Sequence, residues 1–277
     1  MSAASPKPTK APKGEGKPEG TSKTNPKAVK TKSVKPAGLS EQEKAVETLK
    51  GGGRFIGYII WMMAFIPAGM MAYNIRLYAI NTYGRVIHEF DPWFNMRATR
   101  YLRDNGWQAF FHWFDYKVWY PLGRPVGTTI YPGMQIASVT IWNAIKYFSP
   151  KNGGMSLNDV CVYVPVWFGV SASVILGFLA SECTGSYSAG VVAATIMSII
   201  PAHIMRSVGG GYDNESVAMT AMVLTFFFWC RSLRSDPKVK DGRHTRDSVV
   251  YGTLCGFAYI FMVATWGGFI FVINLIA

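Results

Sequence analysis

Long apolar runs are the feature that most constrains this chain. A helix needs roughly 20 apolar residues to cross the hydrocarbon core of a bilayer. Runs of about that size cover residues 55–74, 160–181, 187–205, 216–231 and 248–265, and another starts at 267. A helix satisfies all of its own backbone hydrogen bonds, as lipid requires. The pattern therefore predicts an all-α, multi-spanning membrane protein.

The segment before the first run has a different composition. The first fifty residues contain eleven Lys and five Glu among Pro, Gly, Ser and Thr, with almost no aliphatic pattern. Such a segment cannot bury enough apolar surface to offset the entropy of ordering. We expect a disordered basic tail over 1–53 and a transmembrane domain over 54–277. Because no Arg or aromatic residue is interleaved with the lysines, we interpret the charge as a topological signal and expect no nucleic-acid partner.

Positive charge also predicts the orientation of the spans. Lysine and arginine concentrate in cytosolic loops, which places the tail over 1–53 in the cytosol. The basic segment over 231–248 then returns to the cytosol only if residues 128–148 do not cross the membrane. We therefore expect an external loop over 75–159 that contains amphipathic helices.

Two short acidic motifs fall on the same external side in this topology. Glu89 and Asp91 lie early in the loop over 75–159, and Asp213 and Glu215 lie between the third and fourth predicted spans. Carboxylates beside lipid are costly unless they are paired or bind a cation. Their oxygen atoms favour Mn²⁺ or Mg²⁺ over zinc. The motifs predict a shared site for a divalent ion.

Simpler roles explain the same residues when each is taken alone. Asp91 could cap a helix with Pro92 in its first position, and Asp213 could cap the next span. Arg206 could pair with a phosphate or a neighbouring carboxylate, or anchor the end of a span at the interface. Trp266 stands beside a glycine pair that interrupts a long apolar run.

A family resemblance rests on four segments, which are, in order, HEFDPWFN, WYPLGRPVGTTIYPG, RSVGGGYDNES and WGGFIFVINLI. Over residues 75–277 the chain resembles the eukaryotic oligosaccharyltransferase catalytic subunit, a membrane glycosyltransferase of the GT-C class. The resemblance implies a partial GT-C transmembrane domain in the endoplasmic-reticulum membrane with a lumenal active site. It implies inverting, Mn²⁺- or Mg²⁺-dependent transfer of an oligosaccharide from dolichyl pyrophosphate to Asn of Asn-x-Ser/Thr. Implied partners are that donor, the acceptor polypeptide, membrane lipids, other oligosaccharyltransferase subunits and the translocon.

The resemblance also implies roles for individual residues. The implied metal ligands are Asp91, Asp213 and Glu215. Asp91 is further expected to contact the acceptor amide, and Glu89 completes this catalytic motif. Arg206 and Trp266 are the implied contacts for the donor.

Part of the family pattern does not occur in this sequence. The family has about twice as many spans and a soluble lumenal domain with a WWDYG motif, so we expect these 277 residues alone to be inactive. A GT-C enzyme that uses dolichyl-phosphate sugars, an inactive truncated scaffold and a membrane carrier remain as alternatives. The combination of HEFDPWFN with YDNE disfavours the first, and acids at span ends disfavour a carrier.

Overall fold

The structure is a computed structural model that describes residues 41–149, 154–234 and 246–276, with side chains from residue 56 onward. The chain divides into two compact units, Met1–Leu49 and Lys50–Ala277. The predicted disordered tail lies outside the described residues as far as residue 40.

Helices account for almost all of the described structure. They are α1 (Glu41–Arg76), α2 (Tyr78–Tyr83), α3 (Phe90–Phe111), α4 (Val126–Thr129), α5 (Gly133–Phe148), α6 (Leu157–Thr184), α7 (Tyr187–Ile199), α8 (Pro201–Met205), α9 (Asn214–Ser232), α10 (Arg246–Thr265) and α11 (Phe269–Ile276). Two short strands, β1 (Phe114–Asp115) and β2 (Arg124–Pro125), pair antiparallel between α3 and α4.

Three helical segments in the described ranges have the length and composition to cross a membrane. They are Ile56–Tyr83, Leu157–Thr184 and Arg246–Thr265. These segments overlap the spans predicted at 55–74, 160–181 and 248–265. The span predicted at 216–231 lies within α9, which has 19 residues.

The run predicted at 187–205 is divided between two helices. Ile200 has φ −67° and ψ 124° and separates α7 from α8, whose first residue is Pro201. A proline disfavours the helical conformation of the residue before it because the two clash sterically. A hydropathy profile does not show this break, because both helices are apolar.

Helix α1 begins earlier than the predicted end of the tail. Residues 41–53, which composition assigned to the tail, form its first turns. Residues 41–50 include three Glu and two Lys, which are good helix formers, whereas Gly51, Gly52 and Gly53 disfavour the helix. Extending an existing helix also avoids the cost of nucleation. A polar sequence next to an apolar span can therefore continue the helix of that span.

Helix α6 packs closely against its neighbours at two glycines. A Cβ at Gly169 would clash with the side chains of Arg76 and Ser207, and one at Gly177 would clash with Phe65. Small residues let helix backbones approach where lipid provides no hydrophobic driving force. The helices around α6 are thus held at short distances.

The segment over 128–148, which the topology argument keeps out of the membrane, contains the end of the one-turn α4 and all of the longer α5. Helix α5 has 16 residues and is about 24 Å long, compared with a hydrocarbon core of roughly 30 Å. Met134, Gln135 and Ser138 on α5 are buried. The helix therefore packs into the bundle, and its predicted failure to cross the membrane stays a prediction.

An ion pair joins the two-stranded ladder to α3. Arg97 donates from Nε to Oδ2 of Asp115 at 2.6 Å and from Nη2 to Oδ1 at 3.0 Å. The backbone N–H of Lys117 donates to the same carboxylate. Burial acts to raise the pKa of Asp115, but the hydrogen bonds from Arg97 and Lys117 outweigh it and hold the pKa below its usual value.

Replacing Asp115 with Asn should make the stability of the protein less dependent on pH in the acid range. Because the folded-state pKa lies below the unfolded value of about 3.9, the stabilisation is complete above that value and is lost as pH falls through the folded pKa. Thermal melting in detergent from about pH 5 downward should therefore fall more steeply for the wild type than for Asp115→Asn. Asp104→Asn is the matched control, because Asp104 also pairs with an arginine but is half exposed and is screened by solvent. An equal fall in melting temperature below about pH 5 for the wild type and Asp115→Asn would contradict this role of Asp115.

Oxidation tests the packing of α6 on α9. Sγ of Cys183, near the end of α6, lies 3.9 Å from Sγ of Cys230, near the end of α9. We expect mild oxidation to link these two cysteines, since small movements bring the sulfurs within bonding distance. Peptide mapping should find Cys183 joined to Cys230 and Cys255 still a free thiol. A bridge from Cys183 to Cys255 would be incompatible with this packing.

Candidate functional site

Backbone hydrogen bonds fix the glycine-rich loop that precedes α9. The N–H of Gly209 donates to Arg76 O at 2.9 Å, and that of Gly210 donates to Val162 O at 3.0 Å. The N–H of His88 donates to Gly210 O at 3.0 Å. Gly210 has φ +88°, and a Cβ there would clash with the His88 ring. Only glycine suits this position, and the first acidic motif is thereby tied to the loop before the second.

Asn95 links α3 directly to the second motif. Its Nδ2 donates to Tyr212 O at 3.2 Å and to Oδ1 of Asp213 at 3.5 Å. Its Oδ1 accepts from Nε2 of Gln135 on α5 at 3.2 Å. Both amide side chains are buried. Asn95 therefore connects α3, which begins with the first motif, both to α5 and to the loop of the second motif.

Tyr212 extends this link to a second pair of polar residues. Its hydroxyl lies 2.8 Å from Oγ1 of Thr99 on α3 and donates to Oγ of Ser138 on α5 at 2.6 Å. The side chain is fully buried. Burial raises the pKa of Tyr212 well above its usual value, so the phenol stays protonated and can donate. We call Asn95, Thr99, Gln135, Ser138 and Tyr212 the Tyr212 network.

The second acidic motif lies at the start of α9. Asp213 is the N-cap, and its Oδ1 accepts from the N–H of Asn214 at 2.7 Å, as the capping alternative predicts. Glu215 is in the first turn, and its Oε2 lies 2.8 Å from Nε of Arg206. Of the roles considered for Arg206, the structure therefore shows pairing with a neighbouring carboxylate.

The first acidic motif lies at the start of α3. Glu89 is the N-cap residue, with φ 68° and ψ 172° and no capping hydrogen bond from its side chain. A non-glycine residue in such a region costs about 1–3 kcal/mol and persists only where the surroundings impose it. Asp91 lies inside the first turn instead of at the predicted cap position, where a negative charge still favours the helix dipole. Both carboxylates are exposed.

One cavity collects three of the predicted site residues. Arg206, Glu215 and Trp266 line a space of about 280 Å³ whose other walls are largely apolar, including Met197 and Met222. Glu89 and Asp91 do not line it. Across the described ranges, no three His, Cys, Asp or Glu side chains lie close enough together to hold a metal ion. The structure thus unites the donor-side residues but does not gather the carboxylates around one point.

A buried arginine supports the loop that carries Arg206. Arg76 is fully buried, and its Nε donates to Oγ of Ser207 at 2.8 Å. Its Nη2 lies 2.8 Å from Nδ1 of His203, and its Nη1 donates to Ser198 O at 3.2 Å. Because Ser207 follows Arg206 in sequence, Arg76 fixes the backbone next to the Arg206 side chain.

Sequence reasoning assigned no role to the Tyr212 network or to Arg76. A signal was nevertheless present in the spacing of the polar residues. Asn95 and Thr99 are four residues apart, and Gln135 and Ser138 are three apart. Such spacings put both members of a pair on one helix face. What the sequence does not contain is the information that the two faces meet at Tyr212.

Removing the Tyr212 hydroxyl tests the network. Tyr212→Phe keeps the ring and removes its hydroxyl, while Thr99 and Ser138 still donate to the carbonyl oxygens of Asn95 and Met134. We expect the free energy of unfolding to fall by about 0.5–1.5 kcal/mol, the net contribution of a hydrogen bond. Thermal or denaturant unfolding in detergent measures the loss. Tyr116→Phe, at a largely exposed tyrosine, should change little, and equal effects of the two substitutions would contradict the network's role.

Comparison with known proteins places the chain in one family. Residues 58–277 match the family model described as Oligosaccharyl transferase STT3, N-terminal. The chain is 39% identical over 229 residues to the dolichyl-diphosphooligosaccharide–protein glycosyltransferase subunit STT3A of Oryza sativa subsp. japonica, covering 82% of this chain and 27% of the relative. It is 37% identical over 219 residues to the subunit STT3 of Saccharomyces cerevisiae, covering 79% and 28%. The chain thus spans about a quarter of the length of these relatives.

Solved structures share the fold. The crystal structure of the Archaeoglobus fulgidus oligosaccharyltransferase in complex with Zn and sulfate has a TM-score of 0.61 and 20% identity, covering 76% of this chain and 26% of that one. The archaeal oligosaccharyltransferase AglB from the same organism, in complex with an inhibitory peptide and a dolichol-phosphate, has a TM-score of 0.59 and covers 78% and 24%. At 20% identity the likeness shows the fold alone. It confirms the predicted class, a partial, all-α GT-C transmembrane domain.

Proposed function

The chain belongs to the oligosaccharyl transferase STT3 family, and from that premise we propose that it supplies the metal-binding and donor-binding part of a glycosyltransferase. The whole protein would transfer an oligosaccharide from dolichyl pyrophosphate to Asn of Asn-x-Ser/Thr, in the endoplasmic-reticulum membrane and at its lumenal face. The observation that carries the proposal is the link from α3 through Asn95 to Asp213, beside the cavity lined by Arg206, Glu215 and Trp266. Because the chain spans about a quarter of its relatives, these residues alone are expected to be inactive.

The carboxylates fit a hard divalent cation by their chemistry. Asp91, Asp213 and Glu215 would hold it, and their oxygen atoms suit Mn²⁺ or Mg²⁺. When bound, the ion would neutralise negative charge that develops on the pyrophosphate leaving group. One carboxylate oxygen of Asp213, Oδ1, accepts the hydrogen bond that caps α9. This bond orients the carboxylate and leaves the second oxygen available to bind the ion.

Arg206 can exchange one anion for another. Its side chain is 55% exposed while it pairs with Glu215, so the guanidinium can reach a ligand outside the bundle. A pyrophosphate oxygen is a stronger acceptor for arginine than a single exposed carboxylate, because phosphate groups permit bidentate hydrogen bonds. Donor binding would then draw Arg206 away and leave Glu215 free. Trp266 and the apolar cavity wall suit the polyprenyl carbons beside the pyrophosphate.

The first motif would act on the acceptor. An amide nitrogen is a poor nucleophile because its lone pair is delocalised into the carbonyl group. Exposed carboxylates at the start of α3 can accept the amide N–H groups and hold the nitrogen away from planarity. We assign this contact to Asp91, with Glu89 beside it in the strained N-cap position. Attack on the sugar carbon from the face opposite the pyrophosphate inverts the anomeric centre.

Manganese binding to the purified chain tests the ligand assignment without requiring activity. Asp91→Asn, Asp213→Asn and Glu215→Gln should each weaken Mn²⁺ binding about tenfold or more, as measured by electron paramagnetic resonance. Arg206→Gln should strengthen binding, because it removes the cation that competes for Glu215. Asp247→Asn, in the first turn of α10, is the control and should bind as the wild type does. Weaker binding in Arg206→Gln would contradict the exchange described above.

Glycan transfer is best assayed in a full-length protein. Residues 58–277 can replace the matching part of the full-length Saccharomyces relative, and glycan transfer to a sequon peptide can then be assayed with a dolichyl-pyrophosphate donor. Asp91→Ala and Asp213→Ala should abolish transfer, whereas Asp247→Asn should not. Undiminished transfer in either alanine variant would remove that residue from the site. Transfer from a dolichyl-monophosphate sugar instead would favour the other GT-C class.

A further inference from the structure

A second cavity lies at the other end of α6 from the acidic motifs. It has a volume of about 540 Å³ and is lined in part by Glu182. Val162, whose carbonyl holds the glycine-rich loop, is about twenty residues earlier on the same helix, a rise of roughly 30 Å. That distance matches the thickness of the hydrocarbon core. The cavity is therefore at the membrane interface opposite the proposed catalytic site.

Aromatic side chains form one wall of this cavity. The ring of Trp61 lies 5.2 Å from that of Tyr58, 4.8 Å from that of Tyr187 and 5.5 Å from that of Phe178, between centroids. Tyr58 and Tyr187 are about half exposed, so the wall is open to the surroundings. Tryptophan and tyrosine concentrate at the level of lipid headgroups. The wall has the composition of an interfacial site.

The opposite wall carries an excess of positive charge. Glu182 pairs with Arg231 at 2.6 Å and with Arg234 at 3.2 Å. Arg231 also lies over the ring of Tyr251, with its Cζ 5.3 Å from the centroid. Among the described residues that line the cavity, one carboxylate is shared by two guanidinium groups, which leaves one positive charge unbalanced. Arg234 is 65% exposed and is the partner free to turn toward a ligand.

Two further donors at this cavity lack an acceptor among the described residues. They are Nε1 of Trp61 and Oγ of Ser181, both buried atoms of residues that line the cavity. The Ser181 residue is only 8% exposed, and an indole N–H can donate but not accept. Buried polar atoms without partners are rare in folded proteins. Neither atom has accessible surface in this structure, and Oγ of Ser181 lies against Gly190, so the exposed guanidinium of Arg234 is the group that suits an anionic oxygen acceptor.

We propose that this cavity binds the phosphate-bearing headgroup of a membrane phospholipid. Arg234, which is 65% exposed, donates to the phosphate, and the rings of Trp61 and the tyrosines contact the glycerol region. Phospholipid phosphates lie at the depth where the helix length places the cavity, and the charge excess complements them. The site is separate from the proposed catalytic residues and depends on none of them.

Lipid titration of the full 277-residue chain, followed by native mass spectrometry, tests the proposal. Phosphatidylserine and phosphatidylcholine should bind in a one-to-one complex, and a diacylglycerol with the same acyl chains should not, because it lacks the phosphate. Arg234→Gln should weaken phospholipid binding about tenfold, the scale of one charge-assisted hydrogen bond. This substitution leaves Glu182 paired with Arg231. The variant should therefore retain wild-type helix content by circular dichroism.

The matched control is an arginine in a similar setting at the other end of α6. Arg85 pairs with Asp159 at 3.5 Å, is 57% exposed and lies over the ring of Tyr163. Arg85→Gln should bind phospholipid as tightly as the wild type. Binding of the diacylglycerol as tight as that of the phospholipids, unchanged phospholipid binding in Arg234→Gln, or an equal loss of binding in Arg85→Gln would each overturn the proposal. Displacement of the lipid by inorganic phosphate would also overturn it, since the site would then take a soluble anion.

Discussion

Buried hydrogen bonds around Tyr212 are the constraint on which the proposed site depends. The phenol joins α3 to α5 through Thr99 and Ser138, and Asn95 bonds the backbone of the same tyrosine. Polar groups buried in a bundle must find partners or incur their desolvation cost. Bringing α3, α5 and the loop before α9 together gives most of these groups partners, although Oε1 of Gln135 has none among the described residues. The positions of the two acidic motifs follow from that requirement.

A second constraint acts on the loop itself. The loop over residues 207–210 is hydrogen-bonded to Arg76, Val162 and His88. Arg206 therefore projects from a fixed backbone. Its guanidinium remains half exposed and can change partners without moving the loop. The strained backbone of Glu89 is adjacent to His88 and is held by the same contacts. Rigid support beneath exposed charges is the arrangement expected of a preorganised site.

The sequence predicted the class of fold and the motifs more fully than their arrangement. Apolar runs predicted segments that overlap the three helices with the length and composition to cross a membrane, because the bilayer sets a minimum helix length. They do not contain the break at Ile200, before Pro201, or the extension of α1 over residues 41–53. The carboxylates and Arg206 were singled out because their chemistry is rare beside lipid, and their roles stay predictions. The link from Asn95 to Tyr212 joins residues 117 positions apart, and no local pattern contains such a contact.

The central claim is that both acidic motifs serve one metal site at one end of the bundle. Paramagnetic broadening tests it directly, with a nitroxide placed either on Cys183 or on Trp93→Cys in a chain whose Cys183 is replaced by Ser. Position 93 is exposed in the first turns of α3, beside Asp91, and Cys183 lies near the far end of α6. Bound Mn²⁺ should strongly broaden the nitroxide at position 93 and leave the one at Cys183 unchanged, and Asp213→Asn should raise the Mn²⁺ concentration needed for the broadening about tenfold or more. Broadening at Cys183, or an unchanged Mn²⁺ dependence of the broadening at position 93 in Asp213→Asn, would contradict a site shared by the two motifs.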